Sequence, residues 1–274
     1  MRLGDVRVAV VGHVEWVRFA RVDRIPVAGA VAHASDSFEE PAGGGAVAAV
    51  QLARLAGGAT LFTALGDDEH GRRTVERLGE LGVEVRAQVR PGVETRSAVT
   101  LVDDAGERTI TTFGPRPDPC GAELGELGEL DAVYFTAGDV DALRAVRAAS
   151  RVLVASPRAR HALGHGVELD ALVLSAHDEI EQREAANVRL EARVVVETEG
   201  ERGGRYDGQR YEPAPAPTRI GDAYGCGDSF AAGFAYGLAS GMGIEQGLAL
   251  GARCGAACLG GRGPYESQLT ARDL

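Results

Sequence analysis

Residues 221–234 read GDAYGCGDSFAAGF and join a glycine-rich turn to an apolar stretch with helical spacing. Two acids, Asp222 and Asp228, stand on either side of this turn. In one interpretation Asp228 is a helix N-cap, because an aspartate at a helix start accepts an unpaired backbone N–H and interacts favourably with the helix dipole.

The same stretch also predicts an anion site with a base inside it. Gly225, Cys226 and Gly227 would present consecutive backbone N–H groups at a helix N-terminus, which is where phosphates bind. A carboxylate beside a phosphate is repelled by it unless a reacting group lies between the two. Asp228 therefore fits a base that removes the proton of a hydroxyl as that hydroxyl attacks the phosphate.

Composition indicates an ordinary globular protein. The chain has 274 residues, of which 45% are apolar and 25% charged, and we expect one domain over residues 1–274. A net charge of −11 argues against nucleic acid and against an anionic membrane surface as partners. The apolar run after Arg7 is too short for a signal peptide or a membrane span, so we expect a buried first strand and a cytoplasmic protein.

The sequence contains no lysine, so its 29 basic residues are all arginine. This excludes a Walker A loop and the phosphate lysine of protein kinases. It also excludes Schiff-base chemistry with a carbonyl substrate.

The four cysteines form no CxxC pair, and packed thiols explain them better than a metal site. Cys226 differs from the others because it lies at the predicted helix N-terminus. A thiol at such a position usually has a lowered pKa, so we expect Cys226 to react with a thiol reagent faster than Cys254 or Cys258.

Strand-like and helix-like segments alternate along the chain, and the strands are near-continuous runs of Val, Leu and Ala. This pattern predicts an α/β fold around a mostly parallel sheet. Two segments, about 16–40 and 95–113, alternate apolar and polar residues instead and do not fit that sheet. We predict that they form a small β lid beside it.

Residues 43–48, GGGAVA, match the dinucleotide-binding pattern G-x-G-x-x-A. That pattern must directly follow the first strand, whereas here the polar stretch DSFEEP precedes it. A Rossmann site is therefore disfavoured. Gly43, Gly44 and Gly45 remain candidates for a helix start that approaches a substrate closely.

Two separated motifs resemble the signatures of one family, the ribokinase-like sugar kinases of the phosphofructokinase-B type. Residues 221–228 resemble its D-T-x-G-A-G-D signature, and residues 43–71 resemble its other one. In the latter a glycine pair opens a helix, a strand follows, and G-x-D-x-x-G ends the motif at Gly71. The order of the motifs also agrees, and the resemblance covers nearly the whole chain.

The resemblance implies a three-layer α/β/α domain with a β lid, and transfer of the γ-phosphate of ATP to a hydroxyl with Mg²⁺. It implies that Asp228 is the base and that the backbone of residues 225–227 stabilises the transferred phosphoryl group. Asp222 would anchor the loop or support the metal and phosphates. Further along the chain, Thr198 and Gly200 would lie near the phosphates or ribose, and Arg262 and Gly263 near the adenine.

Several positions depart from the family pattern. The threonine after the first aspartate is Ala223 here. The N-x-x-E motif, which orders Mg²⁺ through water in the family, is assigned to Ser175 and Asp178, with Glu179 and Glu181 as alternates.

The acceptor side departs further from the family. The usual aspartate after the first strand corresponds to Val17, so Glu15, two residues earlier, is the candidate replacement. The usual asparagine of the glycine helix corresponds to Val47, which leaves two hydroxyl-binding positions apolar. Three side chains are candidate substitutes for the lost contacts: His13, Trp16 and Arg96.

The sequence therefore predicts an ATP-dependent kinase of a small sugar or nucleoside. Two alternatives stay open: a kinase of a hydroxymethyl heteroaromatic vitamin precursor, and a catalytically silent metabolite-binding member of the family. The alternating VRFARV segment at 17–22 predicts an open lid edge that could pair with a second copy in a homodimer.

Overall fold

The computed structural model describes residues 6–186 and 188–274. Within these ranges there are thirteen strands, which are β1 (Val8–Val11), β2 (Glu15–Arg21), β3 (Asp36–Ala42), β4 (Ala59–Gly66), β5 (Val83–Arg90), β6 (Ser97–Val102), β7 (Arg108–Phe113), β8 (Leu130–Phe135), β9 (Ser150–Ala155), β10 (Ala171–Ser175), β11 (Val195–Thr198), β12 (Gly204–Tyr206) and β13 (Gln209–Tyr211). The α-helices of the same ranges are α1 (Gly44–Ala56), α2 (Glu69–Glu80), α3 (Val140–Ala149), α4 (Glu179–Ala185), α5 (Cys226–Ala239) and α6 (Ile244–Leu259).

The larger sheet has nine strands in the order β13-β12-β11-β10-β9-β8-β1-β4-β5. All pairs from β5 to β11 are parallel, and the last two pairs are antiparallel. This confirms the predicted mostly parallel sheet. The strands that read as continuous apolar runs lie in its middle, where both faces are covered.

Strand β1 shows how the two faces are covered. Val8 and Val10 belong to an apolar cluster that includes residues of α1, α5 and α6. Ala9 and Val11 point the other way, into a cluster with α3 and the chain after β9. Helices therefore cover both faces of the sheet, which confirms the predicted three-layer α/β/α fold. None of the helices within the described ranges has the length and apolar character of a membrane span.

The smaller sheet is the predicted lid, with strand order β3-β2-β6-β7. Strand β2 pairs with β3 on one side and with β6 on the other. The prediction of an open edge at VRFARV is therefore wrong, because both edges of β2 are hydrogen-bonded. The outer strands of the lid are instead β3 and β7, and all residues of β7 are exposed.

The carboxyl ends of the parallel strands meet at one edge of the large sheet, which is where α/β proteins bind ligands. Strand β2 of the lid begins at this edge, directly after β1. The topology brings to this edge the residues His13, Thr136, Arg158 and Asp178, which follow β1, β8, β9 and β10 in turn, and Thr198, which ends β11.

Candidate active site

The N-terminus of α5 is built on a left-handed glycine. Gly225 is the N-cap residue, with φ of 80°, and no side chain caps the helix. A Cβ at this position would lie 2.7 Å from Val47 Cγ1, so both the backbone angle and the space require glycine. The first backbone N–H groups of α5, from Cys226 and Gly227 onward, are thus left without a side-chain acceptor. They form a donor set suited to an anion.

Asp228 is the third residue of α5 and does not cap it. The N-cap interpretation of Asp228 is therefore wrong, since Gly225 holds that position. Burial raises the pKa of Asp228 to about 6, with the positive charge of Arg158 opposing the rise and the negative charge of Glu181 adding to it. A carboxyl group with a pKa near 6 is suited to general-base chemistry at neutral pH.

The glycine-rich start of α1 lies directly against this acid. A Cβ at Gly44 would sit 2.7 Å from Asp228 Oδ1 and 3.3 Å from Thr136 Oγ1. The Gly45 N–H donates to the His13 carbonyl at 3.1 Å. Gly43, with φ of 87°, is the N-cap of α1. The structure therefore brings the predicted glycine cluster, the end of β1 and the proposed base together.

Asp222 holds the turn that precedes α5. Its Oδ1 accepts the Tyr224 N–H at 2.8 Å, and burial raises its pKa. The Tyr224 hydroxyl in turn accepts the Gly43 N–H at 3.0 Å, which links this turn to α1. The Ala223 N–H donates to the carbonyl of Gly106 in the lid hairpin at 3.1 Å. The contact with Tyr224 favours the loop-anchoring role of Asp222, and its predicted role toward metal and phosphates stays a prediction.

Cys226 does not have the lowered pKa that its position predicts. A hydrogen bond with the Cys258 side chain and burial raise the pKa of Cys226 well above its usual value. The expected lowering of the Cys226 pKa is therefore wrong: a second thiol and the low-dielectric surroundings outweigh the helix dipole. Its faster reaction relative to Cys254 and Cys258 stays a prediction, because Cys226 is partly exposed while both of those thiols are buried.

In the predicted metal motif, the buried carboxylate belongs to Glu181 rather than to Asp178. Glu181 is 8% exposed, and its Oε2 accepts the Ser175 N–H at 2.8 Å. Asp178 is the N-cap of α4 and accepts the N–H groups of Ile180 and Glu181, both at 3.0 Å. Of the acids in this motif, Glu181 is therefore the buried one, while Asp178 partly serves the helix and Ser175 supplies backbone contacts.

Arg158 neutralises both of these acids. Its Nε lies 2.7 Å from Glu181 Oε1, and one terminal nitrogen lies 2.8 Å from Asp178 Oδ2. Its positive charge also acts on Asp228, as the pKa of that acid shows. No cluster of three or more direct metal ligands is present among the described residues.

On the acceptor side, Glu15 is the buried carboxylate. It is 6% exposed, and its Oε1 lies 2.8 Å from Arg96 Nε. Burial raises the pKa of Glu15, and Arg96, Arg116 and Arg158 oppose that rise. The His13 ring nitrogen Nε2 is 3.9 Å from the same Glu15 oxygen.

The G-x-D-x-x-G motif positions Arg96. Asp68 caps α2 through the Gly71 N–H at 2.8 Å, and its carboxylate also accepts both the N–H and the hydroxyl of Thr95, each at 2.7 Å. A Cβ at Gly66 would lie 2.4 Å from the Thr95 nitrogen. The motif thus fixes the chain one residue before Arg96, whose carbonyl accepts the Trp16 N–H at 2.9 Å.

Three residues predicted to touch the acceptor pack elsewhere. Val17 and Val47 have no exposed surface and belong to the apolar core, which favours a packing role for both. Trp16 stacks on His70, with ring centroids 5.4 Å apart, and the Arg73 guanidinium lies 4.3 Å from the centre of its ring. Trp16 is therefore occupied by contacts between the lid and α2.

The four predicted nucleotide residues fall into two separate places. Thr198 ends β11 beside Ser175 of β10, and Gly200 follows at the same sheet edge. Arg262 instead forms two hydrogen bonds to Asp36 of the lid, of 2.6 and 3.0 Å. A Cβ at Gly263 would lie 2.7 Å from a Phe38 ring carbon of the same lid strand. Arg262 and Gly263 therefore contact the lid.

The family assignment rests on a match along almost the whole chain. A family model described as pfkB family carbohydrate kinase matches residues 6–271. The chain belongs to the pfkB family. This confirms the resemblance drawn from the two glycine-rich signatures.

Individual relatives in this family are more distant. An ATP-dependent ribose-1-phosphate kinase of Halopiger xanaduensis is 34% identical over 106 residues, which are 38% of this chain and 36% of that enzyme. The matched segment thus spans about a third of that relative's length.

Solved structures match over nearly the full length. A putative ribokinase from Agrobacterium tumefaciens has a TM-score of 0.76 at 21% identity, covering 98% of this chain and 96% of that one. A microbiome-derived acarbose kinase has a TM-score of 0.76 at 25% identity, covering 98% and 97%. These likenesses show the ribokinase-like fold.

Three residues of this site in the pfkB-family chain were not predicted from the sequence: Arg158, Arg116 and Thr136. Arg158 and Thr136 follow the ends of parallel strands, and that position is a signal that could have found them. Arg116 lies in an irregular connection after β7, with no motif around it.

Proposed function

We propose that the chain is an ATP-dependent phosphotransferase that moves the γ-phosphate of ATP to a hydroxyl of a small sugar or nucleoside. The observation that carries the proposal is the placement of Asp228. It lies inside an uncapped helix N-terminus, against a glycine that leaves room at its carboxylate, and its pKa is raised to about 6.

In the proposed reaction the acceptor hydroxyl lies between Asp228 and the γ-phosphate. The hydroxyl oxygen forms a bond to the γ-phosphorus while the bond from that phosphorus to the bridging oxygen of ADP breaks. The hydroxyl proton passes to Asp228, and ADP leaves with the electron pair of the broken bond. The backbone N–H groups at the start of α5 stabilise the charge that develops on the transferred group.

The residues around Glu181 fit a role toward Mg²⁺. The donor set consists of carboxylate oxygens, which magnesium prefers, and Glu181 and Asp178 would hold the ion through water. Bound there, Mg²⁺ would supply charge neutralisation of the phosphates, for which this chain has no lysine. Arg158 balances the same carboxylates from the protein side.

On the acceptor side, Glu15 and Arg96 are proposed to bind the substrate hydroxyls. The kinase of Halopiger xanaduensis acts, by its name, on ribose 1-phosphate, which supports a ribose-like acceptor.

The retained Asp228 and its raised pKa argue against the silent alternative, because a binding protein has no use for a base at this position. Trp16 is occupied by His70 and Arg73, so this side chain is not available to stack on a heteroaromatic ring.

The decisive experiment replaces the base without changing its shape. Asp228→Asn should fold normally, since Gly225 and not residue 228 is the N-cap. Its acceptor-dependent ADP release should fall by about 10²–10⁴-fold, the range typical of general-base catalysis. The control for the loss of a carboxylate is Asp273→Asn. Asp273 lies in the C-terminal turn, where its Oδ2 accepts the Thr270 N–H.

ADP release, nucleotide affinity and melting temperature should be measured on the same preparations. ATP should still bind to Asp228→Asn, because the substitution removes a negative charge beside the phosphate. Near-normal turnover in this variant would contradict the proposed mechanism.

A further inference from the structure

Two cysteines meet at the start of α5, beside the backbone donors proposed to hold the transferred phosphoryl group. Cys226 is the first residue of that helix and is partly exposed. Cys258 lies in the last turn of α6 and is 1% exposed. The proposed phosphoryl transfer uses the backbone of Cys226 but neither of the two thiols.

The packing of α6 on α5 brings the two thiols together. A Cβ at Gly251 would lie 2.9 Å from the Phe230 carbonyl oxygen. One at Gly255 would lie 3.1 Å from the Cys226 carbonyl oxygen. Cys258 is three residues after Gly255, and residues three or four apart lie on the same helix face. Cys258 therefore belongs to the face of α6 that covers the first turn of α5.

The contacts of the two sulfurs agree with this placement. The thiols of Cys226 and Cys258 share a hydrogen bond. Cys226 Sγ also lies 4.0 Å from the Asp222 carbonyl oxygen. Cys258 Sγ lies 3.5 Å from the Tyr224 carbonyl oxygen. Both sulfurs thus contact the same turn, which leads directly into the backbone donors of α5.

The other two cysteines contact different parts of the molecule. A Cβ at Gly233 would lie 2.6 Å from Cys254 Sγ. Because Gly233 is seven residues after Cys226 in α5, the Cys254 sulfur lies about two helical turns from Cys226. Cys120 hydrogen-bonds the side chain of Asp139 at the start of α3. Neither thiol competes with Cys258 for Cys226.

We propose that Cys226 and Cys258 form an oxidation site, at which hydrogen peroxide converts the two thiols to a disulfide. The Cys226 sulfur attacks one peroxide oxygen, the O–O bond breaks, and the products are a sulfenic acid and water. The Cys258 sulfur then attacks Cys226 Sγ, the S–O bond breaks, and a second water leaves with the thiol proton. The two thiols lose two hydrogens, and the peroxide is reduced to two waters.

Exposure decides the order of these two steps. Cys226 meets the oxidant first, because Cys258 is buried. The raised pKa of Cys226 keeps most of this thiol protonated at neutral pH, so the first step is slow and needs sustained exposure to peroxide. Cys258 is already in contact with Cys226 and can react with the sulfenic acid as soon as it forms.

A disulfide at this place would disturb the phosphate side of the site. Two bonded sulfurs lie closer together than two hydrogen-bonded thiols, so the first turn of α5 or the end of α6 must move. The turn before α5 has little free space, since a Cβ at Gly225 would lie 2.7 Å from Val47 Cγ1 and 3.3 Å from Pro264 Cβ.

A displacement of about 1 Å in the groups that hold the reacting phosphate can lower turnover by about 10²-fold. The oxidised chain is therefore the less active form. This consequence rests on the proposed function, whereas formation of the disulfide does not.

The first experiment detects the bond itself, without an activity assay. The purified chain is treated with hydrogen peroxide, its remaining thiols are alkylated, and it is cleaved after arginine. This cleavage separates residues 220–253, which contain Cys226, from residues 254–262, which contain Cys254 and Cys258. We expect the two peptides to be joined after oxidation, at a mass two hydrogens below their sum, and to separate on reduction with dithiothreitol.

Variants then assign the bond. Cys258→Ser keeps a hydroxyl for the contacts with the Tyr224 and Pro264 carbonyl oxygens and should give no joined peptides. Cys254→Ala and Cys120→Ala are the matched controls and should still give them. If Cys258→Ser does not fold, joined peptides in Cys254→Ala still assign the bond to Cys258, because it is then the one cysteine left in residues 254–262.

The second experiment measures acceptor-dependent ADP release on the same samples. We expect it to fall by about 10²-fold in the disulfide form and to return with dithiothreitol, in proportion to the fraction of joined peptides. Absence of joined peptides after prolonged oxidation, or their loss in Cys254→Ala, overturns the oxidation site.

Full turnover of a completely disulfide-linked sample overturns the effect on activity. A reduced chain that no acceptor stimulates contradicts the proposed function alone, and the peptide masses still decide the oxidation site.

Discussion

The candidate site contains two carboxylates, Glu15 and Asp228, and the protein surrounds them differently. Glu15, on the lid side, is paired with Arg96 at 2.8 Å. Asp228, at the start of α5, has no arginine within ion-pair distance among the residues that the structure describes. Arg158 acts on Asp228 only through its charge, since its close contacts go to Asp178 and Glu181.

This difference separates two chemical roles. Burial raises the pKa of both acids, but the close pair with Arg96 opposes that rise at Glu15 and holds the carboxylate in one orientation, which suits the positioning of a substrate. Asp228 lacks such a pair, and its pKa of about 6 lets it accept a proton near neutral pH, which suits a base. The pocket therefore combines one positioning acid and one reactive acid, and the three predictions below test this assignment.

The largest effect is expected at Gly44. In Gly44→Ala the added methyl group would lie 2.7 Å from Asp228 Oδ1, where the proposed mechanism places the acceptor hydroxyl. A displacement of reacting groups by about 1 Å can cost about 10²-fold, so kcat should fall by that order. Turnover and nucleotide affinity should be measured together, and nucleotide affinity should change little.

Gly79→Ala is the matched control, because Gly79 lies in α2 with nothing within 4 Å of an added Cβ. It should keep full activity and gain slightly in melting temperature, since alanine favours helix over glycine. Unchanged turnover in a folded Gly44→Ala variant would show that the space beside Asp228 is not where the hydroxyl binds.

A smaller and different effect is expected at Glu15. Glu15→Gln removes the charge that pairs with Arg96 but keeps a hydrogen-bonding side chain of the same length. The acceptor KM should rise by about tenfold, the cost of one charged hydrogen bond, while kcat changes less. Steady-state kinetics with each substrate varied in turn gives both constants.

The control for this prediction is Glu84→Gln, on the exposed outer strand β5, which should leave both constants unchanged. A drop in kcat as large as that of Asp228→Asn would remove the distinction between the positioning acid and the base.

The smallest effect is a pair of opposite shifts in the pH profile. Asp228 must be ionised to act as a base, so kcat/KM should fall about tenfold per pH unit below its pKa of about 6. Arg158→Met removes a positive charge that lowers this pKa, so the fall should begin at higher pH. Glu181→Gln removes a negative charge that raises the pKa, so the fall should begin at lower pH.

The pH dependence of kcat/KM for both variants and the wild type checks these signs. Shifts in the same direction, or none, would mean that the acid limb of the profile belongs to another group.

The sequence by itself determined the fold and the phosphate side of the site. Alternating strands and helices predicted the parallel sheet, and the two signatures predicted Asp228, the glycine turn before α5 and the glycine start of α1. These features are readable because backbone geometry imposes them: Gly225 and Gly43 need positive φ, and Gly44 needs the absence of a side chain.

Tertiary structure alone decided which side chains complete the pocket. Arg116 and Arg158 are 42 residues apart in sequence, and only chain packing places the carbonyl of one against the guanidinium of the other. The same holds for Arg262, which pairs with Asp36 of the lid across 226 residues, and for Val47, which packs behind Gly225. A local pattern fixes a backbone turn, whereas the partners of a side chain depend on elements that are remote in the sequence.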